Sequence, residues 1–137
     1  MLKHIDHIGI AVHSIEEAAP LYRDVLGLEH LGDDVVEEQG VRVSFYKLGE
    51  AKIELLEPTR EDSAVAKFLA RKGPGVHHVA MRTEDIKGAA AHVADNGIRV
   101  LYPEPRDGAH GKLINFLHPK DTHGVMLELT QRRTDGD

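Results

Sequence analysis

Two histidines and two glutamates recur at matched places along this chain of 137 residues. At a shift of 71 residues His7 falls on His78, and Ile5, Ile8 and Ile10 fall on Val76, Val79 and Met81. The same shift sets Ile15 on Ile86, Ala18-Ala19 on Ala89-Ala90 and Phe45 on Phe116. At a shift of 74, Ile53-Glu54-Leu55 falls on Leu127-Glu128-Leu129. Apolar positions match easily by chance. A match that also pairs His with His and Glu with Glu does not, so the chain reads as an internal duplication. A lone strand histidine is more often structural than a ligand. A glutamate between apolar residues is costly if buried unpaired and unremarkable if it faces water. The duplication changes that balance: two related His and two related Glu converge if the halves pack about a local two-fold. His7, Glu54, His78 and Glu128 then form a set of imidazoles and carboxylates suited to one divalent ion, with water completing the shell.

Composition narrows the partners. The formal net charge of −6 argues against a nucleic-acid or membrane-surface binder, which needs a broad basic patch. It leaves room for an anionic small ligand held by a few local cations. Cysteine is absent, so any metal must take His, Asp, Glu, amide or water ligands. The first residues contain no long apolar run, so neither a signal peptide nor a membrane span is expected, and the default location is the cytoplasm.

The elements that must position these groups follow from periodicity. Residues 5–12 alternate, with Ile8, Ile10 and Val12 on one face and Ile5, His7, Gly9 and Ala11 on the other, which predicts a half-buried strand. Small neighbours beside His7, and Ala80 beside His78, leave room for a ligand. Ser14 with Glu17 three residues on reads as a capping box, and a helical stripe runs to Leu26 before Gly27. Pro20 inside that helix should remove one backbone bond and bend it. Strands are expected near residues 29–31, 41–48 and 52–57, and a connecting helix over residues 63–71 before Gly73-Pro74-Gly75. The second half predicts a strand over residues 76–82, a helix over 86–96, and strands near Val100, residues 113–117 and 125–130. The tail beyond Gln131 is polar and expected to fray. The fold class is α+β: two tandem βαβββ modules in one domain, forming a curved mixed sheet around the metal site. Module one covers about residues 1–60, the connecting helix about 62–72 and module two about 75–131. Asp6 and His77 lie on the strand face opposite His7 and His78, so a one-residue register error would exchange them. His4 and His13 are further nearby alternatives.

These features resemble the vicinal oxygen chelate, or glyoxalase-like, superfamily and, within it, the methylmalonyl-CoA epimerase family. The resemblance covers nearly the whole length. It is carried by residues 5–12 (IDHIGIAV), by Leu55-Leu56-Glu57-Pro58 with Asp62-Ser63 and Phe68-Leu69, by Gly75-Val76-His77-His78-Val79-Ala80, and by residues 115–121 (NFLHPKD) with Gly124-Val125. It implies that His7, His78 and Glu128 are metal ligands, with Glu54 where the family places Gln or Glu. It implies cobalt as the ion, although the ligand set accepts manganese, nickel or zinc. The implied activity interconverts (2R)- and (2S)-methylmalonyl-CoA through an enediolate, an isomerase reaction of propionate metabolism. The ion would act as a Lewis acid toward the thioester oxygen, and one protein group on each face would move the α-proton. Some members carry a catalytic Glu on the strand after a Gln-Gly pair. Here Gln39-Gly40 leads to Val43 at that position. The acid–base pair expected in its place is Glu54 and Glu128.

Two other activities fit the same residues. A glyoxalase I-type lactoylglutathione lyase shares the fold and the His, Glu, His, Glu set. A metal-free small-molecule binding protein of the same fold needs neither pair. The expected partner is a CoA thioester, not nucleic acid or a membrane, and a homodimer is compatible with the sequence. For the CoA phosphates the candidate contacts are His110 and Lys112 in a Gly-rich loop and Lys120 after His118-Pro119. An ordinary solvated loop explains each of them equally well, and Arg60, Arg71 and Lys72 are equally unconstrained.

Overall fold

The computed structural model describes residues 1–133. The tail expected to fray beyond Gln131 falls, from Thr134 on, outside the described residues. The chain divides into two compact units, one of residues His7–His77 and one of Met1–Asp6 with the segment from His78 onward. The first strand, β1 (Leu2–Ala11), crosses that division.

The unit of residues 7–77 continues from β1 into helix α1 (Ile15–Pro20), strands β2 (Glu29–Val36), β3 (Val41–Leu48) and β4 (Ala51–Pro58), and helix α2 (Ala64–Lys72). Its strands lie in the order β2-β3-β4-β1. The β1–β4 pair is parallel, whereas β2–β3 and β3–β4 are antiparallel hairpins. A parallel pair needs a long crossover, and α1 with β2 and β3 supplies it. Ile10, Val12, Ile15, Ala19, Tyr46 and Leu55 form the core between helix and sheet.

The second unit repeats this plan. Strand β5 (Gly75–Thr83, its residues from His78 on in this unit), helix α3 (Ile86–Asp95) and strands β6 (Arg106–Asp107), β7 (Leu113–Phe116) and β8 (Leu127–Gln131) follow one another. The order is β5-β8-β7-β6, with β5–β8 parallel and β8–β7–β6 antiparallel. Ile86, Ala89, Leu117 and Leu129 pack between α3 and the sheet. Both units are βαβββ in order, as the periodicity indicates.

The helix starts match in detail. Ser14 Oγ accepts the Glu17 N–H, and Asp85 Oδ1 accepts the Gly88 N–H, each capping its helix. The last strand of each unit adds a second acceptor. Glu57 Oε1 takes the Ile15 N–H at 2.7 Å and Gln131 Oε1 takes the Ile86 N–H at 2.8 Å. These are equivalent positions of the duplication, so the device that fastens helix to sheet is repeated.

Two expectations change. The first helix does not continue evenly to Leu26. Pro20 has no N–H to donate, the Leu21 N–H bonds only three residues back to the Ala18 carbonyl, and residues Leu21–Val25 form a wider π turn. The Leu26 N–H then reaches the Leu21 carbonyl five residues back. In the second half the strand expected near Val100 is reduced to one bridge with Leu117, and the short β6 forms at Arg106–Asp107 instead. Pro103 and Pro105 remove N–H donors from the intervening stretch, which interrupts pairing there. The connecting helix is α2, capped by Ser63 accepting the Ala66 N–H.

The caps make a quantitative prediction. Ser14→Ala and Asp85→Ala should each cost about 1 kcal/mol of stability, measured by denaturant unfolding with an unchanged slope. An effect near zero at both positions would mean that Glu57 and Gln131 alone hold the helix starts.

Candidate metal centre

The parallel registers set the chemistry. In the unit of residues 7–77, Gly9 of β1 lies beside Glu54 of β4, and Phe45 of β3 lies on the other side of Glu54. Residues in one row share a face, and alternation puts His7 and Ala11 on that face too. His7 and Glu54 are both buried, with Nδ1 and Oε2 3.1 Å apart. In the other unit Ala80 of β5 lies beside Glu128 of β8, and Phe116 of β7 flanks it. His78 and Glu128 are buried, with Nε2 and Oε1 3.1 Å apart, and the Phe116 ring meets the His78 ring edge-on. Each unit thus makes one imidazole–carboxylate pair from the same register.

An imidazole nitrogen and a carboxylate oxygen, with no sulfur, are donors that a divalent ion of borderline character accepts. A carboxylate buried against an imidazole can also accept or release a proton, depending on what it faces.

The neighbouring histidine takes a different role. His77 packs edge-on against Phe68 of α2, with ring centroids 5.1 Å apart. Burial, with a smaller push from the Arg71 charge, lowers its pKa to about 4. His4 is half-buried and His13 exposed.

The CoA-phosphate candidates separate. His110 is exposed and sits at φ 56, in a left-handed turn that a side chain seldom adopts. Lys120 is exposed, and its backbone N–H donates to His118 Nδ1. The same loop is tied back by Asp121, which accepts from the Arg99 backbone and guanidinium; those bonds hold the Asp121 carboxyl far below the usual carboxylate range. Lys112 corrects the expectation of a solvated loop residue. It is buried, and its Nζ lies 3.0 Å from Asp6 Oδ2. Asp6 is no idle neighbour of His7 either: Arg82 Nη1 approaches its other oxygen at 3.9 Å. A period of two from Phe116 through Ile114 already places Lys112 on the inner face, the one sequence signal that could have found it. Arg60, Arg71 and Lys72 are placed by other contacts, Arg60 on Asp62 and the Glu37 carbonyl, Arg71 and Lys72 over the Phe68 ring.

Residues 6–116 match the family model described as the glyoxalase/bleomycin resistance protein/dioxygenase superfamily. The chain is 44% identical over 134 residues to an ethylmalonyl-CoA/methylmalonyl-CoA epimerase of Cereibacter sphaeroides, covering 96% of this chain and 99% of that one. It is 41% identical to the mitochondrial methylmalonyl-CoA epimerase of Homo sapiens, over 95% of this chain and 74% of that one. Among solved structures, a methylmalonyl-CoA epimerase in complex with methylmalonyl-CoA and NH4+ matches with a TM-score of 0.94 and 50% identity, covering 97% of this chain and 96% of that one.

His77 carries a pH prediction. Its folded pKa near 4 lies below the ordinary 6.5, so between those values the unfolded chain binds a proton that the folded chain does not. The stability it allows is complete above about pH 6.5 and is lost as pH falls toward about 4. Denaturant midpoints of His77→Leu measured from pH 7 to pH 4.5 should fall less steeply than those of the parent. Parallel curves would remove His77 from the acid response.

Proposed function

Because this chain belongs to the glyoxalase/bleomycin resistance protein/dioxygenase superfamily, we propose that it is a metal-dependent methylmalonyl-CoA epimerase, an isomerase acting at the carbon between a thioester and a carboxylate. The observation that carries this is the duplicated, buried His–Glu pair. Epimerisation needs an acceptor on one face of a planar intermediate and a donor on the other. A duplicated carboxylate is a natural source of both. Identity of 41–44% to named epimerases over 95–96% of this chain supports the same substrate class.

His7, Glu54, His78 and Glu128 are the residues that would hold the ion, for which cobalt is our assignment. When bound, it supplies a Lewis acid for the negative charge that develops on the thioester oxygen. Glu54 and Glu128 move the proton: one carboxylate takes it from the α-carbon and the other returns one to the opposite face. Val43, buried on β3 one row from Glu54, has no group that could take part. Phe45 and Phe116 flank the two carboxylates in their strand rows. Among the described residues no helix is long and apolar enough to cross a membrane. We place the enzyme in the cytoplasm, in propionate metabolism, acting on a CoA thioester.

The first test is substrate. Purified protein should epimerise methylmalonyl-CoA and leave the glutathione hemithioacetal of methylglyoxal unchanged. The reverse result would make it a glyoxalase I-type lyase. The second is the ligand set. His7→Ala and His78→Ala should lose bound metal by elemental analysis and at least about 10³-fold in turnover, with circular dichroism preserved. His77→Ala should keep both metal and activity. Full metal occupancy in His78→Ala would sink the assignment. The third separates ligand from base. Glu54→Gln keeps an oxygen for the ion but cannot take a proton. In deuterium oxide it should exchange the α-proton from one epimer and not from the other. Parent-like epimerisation by a metal-loaded Glu54→Gln would exclude Glu54 as a base.

A further inference from the structure

One row beyond Glu128 the second unit carries a set of charges that the duplication does not require. Ala80, Glu128 and Phe116 form one row across β5, β8 and β7, and Arg82, Thr130 and Ile114 form the next on the same face. The two rows are about 6.6 Å apart, two residues along a strand. Lys112 continues the alternation of Ile114 and Phe116 on that face. Arg82 and Lys112 are 8% and 7% exposed, and both converge on Asp6, at 3.9 and 3.0 Å. Thr130, in the row of Arg82 and 1% exposed, buries a hydroxyl oxygen with no hydrogen-bond partner among the described residues.

The first unit builds the equivalent row without any polar group. Ala11, Leu56 and Val43 occupy it, with Val41 at the place of Lys112. All four are buried apolar residues. The fold can therefore make this row from Ala, Leu and Val, and needs neither two buried cations nor a buried hydroxyl to do so. The halves match in the row holding the glutamates and differ in the one beside it. A buried hydroxyl left unpaired costs stability, and beside a row that carries two cations it points to a ligand that would satisfy it. Arg82 also lines an open surface depression with Lys3, His4 and Glu84.

We propose that Arg82, Thr130 and Lys112 receive the free carboxylate of the substrate and so determine the preference for malonyl-type thioesters. This deepens the epimerase reading and rests on it. The substrate carries its carboxylate on the carbon whose proton Glu128 would move, so a cationic side chain one row away is within reach of it. Carboxylate oxygens accept charge-assisted bonds from ammonium and guanidinium groups, and one more from a hydroxyl. Asp6 is a positioning residue: it holds both cationic heads on this face when the substrate is away. The apolar row of the other unit offers no anion site, so the substrate binds in one orientation although the scaffold is duplicated.

The test compares two thioesters on metal-loaded protein, methylmalonyl-CoA and propionyl-CoA, which lacks the carboxylate. Calorimetry should show the parent favouring methylmalonyl-CoA. Lys112→Met should weaken methylmalonyl-CoA binding about tenfold or more and change propionyl-CoA by less than about twofold. Lys112→Arg should recover part of the loss. Thr130→Val, which loses no existing hydrogen bond and should stay folded, should weaken methylmalonyl-CoA alone by about threefold to tenfold. If Lys112→Met fails to fold, Thr130→Val and Arg82→Gln decide the matter. Equal weakening of both thioesters would mark the row as structural and overturn the proposal, as would parent-like selectivity in the folded variants. Parent protein that prefers methylmalonyl-CoA without epimerising it would overturn the epimerase reading and leave the carboxylate site standing.

Discussion

A carboxylate taken out of water has to be met by something that offsets its lost hydration. Glu54 and Glu128 are both nearly fully buried, each within 3.1 Å of an imidazole. Those two contacts constrain the rest of each unit. The glutamate must sit on the strand beside the one that carries the histidine, in one register, with a small residue opposite. Parallel pairing of the first and last strands of a βαβββ unit meets that requirement. It also demands the crossover that the helix and the two middle strands provide.

The helix is then fixed from both ends of the unit. Ser14 and Asp85 cap it from the preceding loop, while Glu57 and Gln131 reach it from the strand that carries the glutamate three residues earlier. Because strand side chains alternate, the residue three positions beyond an inward glutamate points outward, toward the helix. One strand therefore presents a carboxylate to the site on one face and a cap to the helix on the other. A slip of one residue would lose both, so packing and chemistry enforce the same register.

Away from these shared features the halves have diverged, and each divergence has a local cause. Pro20 widens the first helix into a π turn that the second helix, without proline, does not need. On the helix side of β3, Ser44 donates to Tyr46 and contacts His30, which bonds Asp33. Burial raises the Asp33 pKa, but the bonds from Ser44 and His30 with the nearby charges outweigh it and hold the carboxyl below its ordinary value. The second unit has no such network at the matching positions Asn115 and Leu117. There Asn115 instead clamps the backbone of Tyr102 through both amide atoms, compensating for the ladder that prolines 103 and 105 interrupt.

The four candidate ligands and the βαβββ order were legible in the sequence because both rest on short-range regularities. A period of two locates a strand and its faces, and a repeat locates equivalent residues whatever their partners. Superposing His on His and Glu on Glu needed no knowledge of which strands pair. What the sequence left open was set by contacts distant along the chain. His77 and His78 are adjacent and chemically identical; only packing against Phe68 on one side and Glu128 on the other separates them. The collapse of the strand at Val100 reflects a lack of pairing partners, which no local propensity reports. Lys112 read as a solvated loop residue because Gly108 and Gly111 surround it. Its partner Asp6 is 106 residues away, and only the tertiary structure brings the amine and the carboxylate into one buried pair. Sequence periodicity determines which way a side chain faces, whereas the burial and charge of what it meets there depend on the pairing of remote strands.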